Sequence, residues 1–155
     1  MSSHSAAGTL IYISASNPAT FDVAGYEALN DWSLIGEVTN LGEFGREYQK
    51  ITHNPLASRG TVKKKGSFDE GSIPLECALD NDDAGQIKMK AASLSDADHS
   101  FRVHDVQAGE SYYFQGLTFT WKRVYGTVND IVKARGTIEI QTDSVTGTGV
   151  VEDLS

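Results

Sequence analysis

The chain has one cysteine, Cys77, in 155 residues, which rules out an internal disulfide and any CxxC metal or redox site. Proline is scarce too, with 3 residues, while 15 glycines supply many tight turns and leave few stretches long enough for a helix. Long apolar runs are missing: Ala6–Ala15 is too short and too polar to span a bilayer. The first 21 residues carry no Lys, Arg, Asp or Glu, so the basic flank of a secretory signal is absent, although Ala15-Ser16-Asn17 superficially resembles a cleavage site. The expectation is a protein made and folded in a cytoplasm, with no membrane partner. Basic charge is also in short supply. With 13 Lys and Arg against 21 Asp and Glu, the net charge of −8 argues against a nucleic-acid binder, whose footprint is a basic surface.

What is present is an ordinary globular composition, 39% hydrophobic and 22% charged, at a length that suits one domain. Val, Ile and Thr contribute 11, 9 and 12 residues, a bias toward side chains that fit a pleated sheet, so a β-dominated domain is expected. The scarce basic charge is concentrated. Arg46, Lys50, Arg59, Lys63, Lys64 and Lys65 face only Glu47 within Arg46–Lys65, a net of +5, and the rest of the chain nets −13. Such a run is either a solvated loop or a patch that meets acidic surface, including that of another copy of the chain.

Residues 1–8 read as a flexible arm, 9–142 as one β-domain, and the small, acidic tail 143–155 as a second flexible arm. Thr9–Ala15 is a short strand, and Ser16–Asp31 is turn-rich. Trp32–Phe44 holds a strand with Leu34 and Val38 inward. Arg46–Thr52 and Thr61–Lys65 form two polar strands about the loop His53–Gly60. Ile73, Leu75, Cys77 and Leu79 share one face of a core strand, with Pro74 opposite marking an edge or bulge. Asp80–Asp83 is dense in capping residues, and Ala84, Ile87, Ala91 and Leu94 recur at helical spacing, which predicts one helix over about residues 82–94. Ser100–Val106 is a strand. Ser111–Tyr125 is a long one, with Leu117, Phe119, Trp121 and Tyr125 on one face. Arg135–Thr142 closes the domain with Ile138 and Ile140 inward.

Catalytic patterns are thin. Asp96, Asp98, His99 and His104 lie close together, but their spacing matches no zinc or calcium loop, and Asp and His are common at a helix end. His53 sits in a polar loop without a neighbouring carboxylate. There is no GxSxG elbow, Cys77 reads as an inert buried thiol, and Gly42-Glu43-Phe44-Gly45 lacks the strand–glycine–helix context of a phosphate loop. Asp69-Glu70 and Asp82-Asp83 read as a turn and a helix cap. Neither catalysis, a cofactor nor a metal is expected.

The order of these pieces resembles the major tail tube proteins of long-tailed, non-contractile bacteriophages. The resemblance rests on Gly8-Thr9-Leu10-Ile11-Tyr12, Asp31–Val38, Leu75-Glu76-Cys77-Ala78-Leu79 with the polar cap and helix, Phe101-Arg102-Val103, Phe119–Gly126 and Arg135–Asp143. It spans roughly residues 8–145, and it lies in the sequence and spacing of the segments, none of which is specific alone. It implies a mainly β, antiparallel β-sandwich closing toward a barrel, flanked by one α-helix. Copies would form hexameric rings, stacked into a tube that conducts the genome during ejection, within a virion tail assembled in the host cytoplasm. A long hairpin and the terminal arms would bridge rings, which makes Arg46, Lys50, Arg59, Lys63, Lys64 and Lys65 the expected inter-ring contacts. Tape measure and terminator proteins would be partners, and DNA would pass an acidic lumen without specific binding. Two alternatives stand beside it. One is a terminator, adaptor or secretion-system ring protein. The other is a β-sandwich carbohydrate-binding module using Trp32, Tyr112 or Trp121 as its platform.

Overall fold

A computed structural model describes residues 3–154. The outermost residues of the two expected arms, 1–2 and 155, lie outside the described residues. In chain order the elements are β1 (Thr9–Ser14), α1 (Val23–Glu27), β2 (Ser33–Leu34), β3 (Val38–Asn40), β4 (Glu47–His53), β5 (Val62–Asp69), β6 (Ser72–Ala78), α2 (Ala84–Ser93), β7 (His99–Asp105), β8 (Glu110–Val124), β9 (Lys133–Gln141) and β10 (Val151–Asp153). The mainly β, barrel-type expectation holds. One antiparallel sheet, in the order β2-β1-β7-β8-β9-β6-β3 with β10 also on β8, curls into a half-barrel.

Period-two alternation builds its interior. Ile73, Leu75 and Cys77 of β6, Ala134 and Ile138 of β9, and Ile11 and Ile13 of β1 are all buried. The Phe101 and Phe114 rings stack at 5.4 Å between β7 and β8. Pro74 does sit beside an edge, since β3 pairs only with Glu76 and Cys77, across a register shift.

Four readings of the sequence need correction. Helix α2 exists where expected, but Ala84, Ile87, Ala91 and Leu94 are all exposed, Ile87 at 51% and Leu94 at 83%. The buried side is Gly85, Gln86, Met89 and Ala92. Hydrogen bonds at the helix start turn it this way. The N-cap Asp83 carboxylate accepts from both Gln86 N and Gly36 N at 3.0 Å. The Gln86 side chain donates to Gly36 O and Ala78 O and accepts from Asp80 N. Gly85 lies so close to Leu34 that a Cβ there would come within 2.1 Å of its carbonyl oxygen. Lys88 is half-buried and donates to Asp31 O at 2.7 Å.

In β8 the expected face is interrupted by a bulge between Thr118 and Thr120. Thr118 is buried, Phe119 is the extra residue at 63% exposure, and Trp121 packs inward on the new phase. Tyr125 lies past the strand and is exposed as well. In β2 it is Ile35 beyond the strand that enters the core, while Leu34 is 42% exposed.

The fourth correction concerns segments read as turn or arm. Within Ser16–Asp31 the Asp22 side chain caps the short helix α1 by accepting from Gly25 N, so a second helix joins the expected one. It places Tyr26 against Tyr113, ring centroids 5.3 Å apart, and covers the other face of β8. The tail contains β10, which pairs Val151 with Tyr113 and Asp153 with Ser111. In the N-terminal arm, His4 Nε2 lies 2.5 Å from Asp105 Oδ2, and Gln107 donates to the carbonyls of Ser5 and Ala7.

The helix geometry makes a direct prediction. Met89→Ala should cost about 2–5 kcal/mol, as buried methionine truncations do, and Ile87→Ala well under about 1 kcal/mol. Chemical denaturation measures both, and equal costs would return the helix to the face its periodicity suggests.

Candidate functional site

Among the described residues, strands β4 and β5 pair only with each other, as a two-stranded sheet separate from the half-barrel. All seven residues of β4 are exposed, and β5 is exposed except at Gly66 and Phe68. At about 3.4 Å per residue the pair projects about 25 Å. Nothing in its composition drives it into a core, since polar and charged residues occupy both strands. The expected pair of polar strands is therefore present, with its loop at 54–61 rather than the expected His53–Gly60.

Register sorts the charges. Lys50 lies opposite Lys65 and Thr52 opposite Lys63, which puts Lys50, Lys63 and Lys65 on one face. Lys64 lies opposite Ile51, and Val62 opposite His53, on the other face. That second face shows exposed Ile51 and Val62, and Leu56 stands fully exposed in the loop. Arg59 is also in the loop and exposed. A bulge between Tyr48 and Lys50 keeps Tyr48 and Phe68 on the lysine-rich face, where their rings meet edge-on at 5.6 Å. Lys65 Nζ lies 4.8 Å from the Tyr48 ring centre. Like charges directly opposite in a ladder are unfavourable, so Lys50 and Lys65 weaken the hairpin that carries them.

Arg46 differs from the other five cations. It stands at the hairpin root, where Nε donates to Glu70 Oε1 at 2.7 Å and the guanidinium carbon sits 3.8 Å above the Phe68 ring. Hydrogen bonds to Tyr48 and to Glu70 raise its pKa above the ordinary arginine value. Its charge is thus engaged within the chain. Glu70, read from sequence as part of a turn, is 3% exposed. Asp69 beside it does make that turn, accepting from Gly71 N. The signal for Glu70 was its position: Arg46 and Glu70 bracket the two strands symmetrically.

The remaining candidates are scattered. Cys77 is buried, and burial, with smaller contributions from Asp83 and Glu76, pushes its thiol up to about 11, so the nucleophilic thiolate is suppressed. His99 contacts Ala97 O and His104 contacts Ser111 Oγ. Among the described residues no three His, Cys, Asp or Glu side chains gather as a metal site, and no helix is long and apolar enough to cross a membrane. Trp32 leans on Tyr113, Tyr112 on Phe44, and Trp121 on the core, so each aromatic of the supposed sugar platform packs against interior neighbours of its own.

No protein-family model matches the chain, and no curated protein matches its sequence. Solved structures do match its fold. A chain from the six-fold symmetrised cryo-EM structure of the anti-feeding prophage baseplate aligns with TM-score 0.64 at 10% identity, over 91% of this chain and 94% of that one. A chain from the sheath/tube terminator structure of the PVC extracellular contractile injection system, in its extended state, aligns with TM-score 0.59 at 10% identity, over 99% and 98%. At that identity the likeness establishes the fold and nothing more.

The cross-strand lysines can be tested in the isolated chain. Lys65→Glu should turn the repulsion with Lys50 into attraction and steady the hairpin by roughly 0.2–1 kcal/mol. Amide exchange across β4 and β5 should slow. Unchanged or faster exchange would show that the two side chains do not oppose each other.

Proposed function

We propose that this chain is a structural, non-catalytic subunit of a phage-type tail tube, which assembles with copies of itself into stacked hexameric rings. One observation carries the reading: a detached cationic hairpin projects from a body of opposite charge. Within Arg46–Lys65 the chain nets +5, against −13 elsewhere. A lone monomer has no use for opposed lysines on an exposed strand pair, whereas a neighbouring subunit's acidic surface would neutralise them. Lys50, Lys63 and Lys65 are the inter-ring contacts on one hairpin face, Lys64 acts from the other, Arg59 from the loop, and Arg46 sets the root.

The half-barrel, shared with chains of a six-fold symmetrised prophage baseplate and of a contractile injection system, supports a ring-forming role. An acidic bore would repel DNA phosphates and let a genome slide through without specific binding. Such a tube would meet tape measure and terminator proteins in a virion tail. The resemblance in sequence order favours a non-contractile tail. A second reading, a terminator or adaptor ring at the end of a contractile-type tube, draws on the near-complete mutual coverage with the sheath/tube terminator chain. Negative-stain microscopy of the purified protein separates them, since a tube subunit grows open-ended tubes and a terminal ring stops at one ring. A particle that remains at the 16.7 kDa monomer mass at all concentrations would refute both.

Exposed ion pairs contribute only about 0–1 kcal/mol each, but a ring repeats each pair six times. Replacing Lys63, Lys64 and Lys65 together by Glu should leave the monomer folded, because all three are exposed. Assembly should fail, or demand high salt, in sedimentation and microscopy. Polymerisation like the parent at low salt would make the basic segment a solvated loop.

A further inference from the structure

The hairpin leaves the half-barrel through two glycines with positive φ, Gly45 at 150° and Gly71 at 93°. They sit side by side, Gly45 N donating to Glu70 O at 3.1 Å. Gly71 is held to the sheet, because its carbonyl accepts from Ile140 N. Such a junction is permissive on its own, and among the described residues there is no further ladder between hairpin and sheet.

What limits it is Glu70. Arg46 reaches the buried carboxylate with Nε and with its terminal nitrogen, both 2.7 Å from Oε1. The same guanidinium lies on Phe68 and donates to Tyr48 Oη, so it grips the hairpin's aromatic face. On its other side Glu70 is covered by the C-terminal segment. Gly149 is buried against it, so close that a Cβ at 149 would fall 2.4 Å from Glu70 Cγ and 2.6 Å from Oε1. Val150 packs on the core, and β10 then ties the segment to β8. Beside this contact is a cleft of about 410 Å³, lined by Phe44, Arg46, Tyr112 and Glu152 among others, which gives the root room to turn.

We infer that the C-terminal segment 149–153 is a latch that sets the direction of the hairpin, with Glu70 as the positioning residue between them. Seated, Gly149 keeps the Glu70 carboxylate in place, Glu70 keeps Arg46, and Arg46 keeps the hairpin. Lifted, the same carboxylate is solvated, and the two glycines let the strand pair swing as a unit. The inference goes beyond the assembly reading, since it concerns a single chain whether or not it forms rings.

The test is pulsed electron–electron resonance on dilute monomer, with spin labels at Ser58→Cys in the hairpin loop and Ser95→Cys after α2; Cys77 is buried and stays unlabelled. The parent should give one sharp distance. Glu70→Gln, and separately a chain ending at Thr148, should each lose that sharp peak, while near-ultraviolet circular dichroism reports an intact body. Combining the two changes should add no further broadening, as expected for one shared contact. Should Glu70→Gln fail to fold, Gly149→Val probes the same contact from the other side and should broaden the distances alike. A sharp distance retained in the shortened chain would overturn the latch, even if Glu70→Gln broadens it, because the ion pair alone would then hold the hairpin. A broad distribution in the parent would overturn it as well.

Discussion

Strand β8 has to satisfy more neighbours than any other element, and much of the structure follows from how it does so. Its fifteen residues pair with β7 along the first half, β9 along the second, and β10 near the start. Both faces of that first half are buried, Phe114 on the stacked aromatic core and Tyr113 with Gln115 beneath α1. The second half is more open, with Phe119, Lys122 and Arg123 exposed. The bulge at Phe119 makes the change, spending one residue to reset the phase so that Trp121 faces the interior.

The helix answers to the same sheet from the other direction. An amphipathic stripe of alanines, Ile87 and Leu94 would suffice for a helix lying freely on a surface. Here Asp83 and Gln86 fasten the first turn to Gly36, Ala78 and Asp80, and those bonds hold the rotation that buries Met89 and Ala92. Buried polar groups that lose a partner are costly, so hydrogen bonds at a helix start outrank the modest gain from burying Ile87. The consequence is apolar surface at Ile87, Leu94 and Phe119 on the outside of the body.

The hairpin shows the opposite regime, with no core and no sheet to join. Aromatic rings and the ion pair of exposed Arg46 with buried Glu70 at the root do the organising, and the lysines further out work against it. Almost every residue of the strand pair is exposed, so few buried contacts hold its outer part, the usual character of a segment of low local stability.

Alternation over Ser72–Ala78 and Lys133–Gln141, the Asp-rich cap before Ala84, and the two polar strands about a loop near His53–Gly60 were all legible in the sequence, because each depends on neighbours two to four residues away. The clustering of six cations was legible for the same reason. Which helical face is buried, where β8 changes phase, and that Val151–Asp153 returns to pair with β8 were decided only by tertiary contacts. So was the role of Glu70: its partners, Arg46 and Gly149, are 24 and 79 positions away. Local periodicity carries no information about a hydrogen bond or a close approach across that separation, so the root of the hairpin became visible only once the chain had folded back on itself.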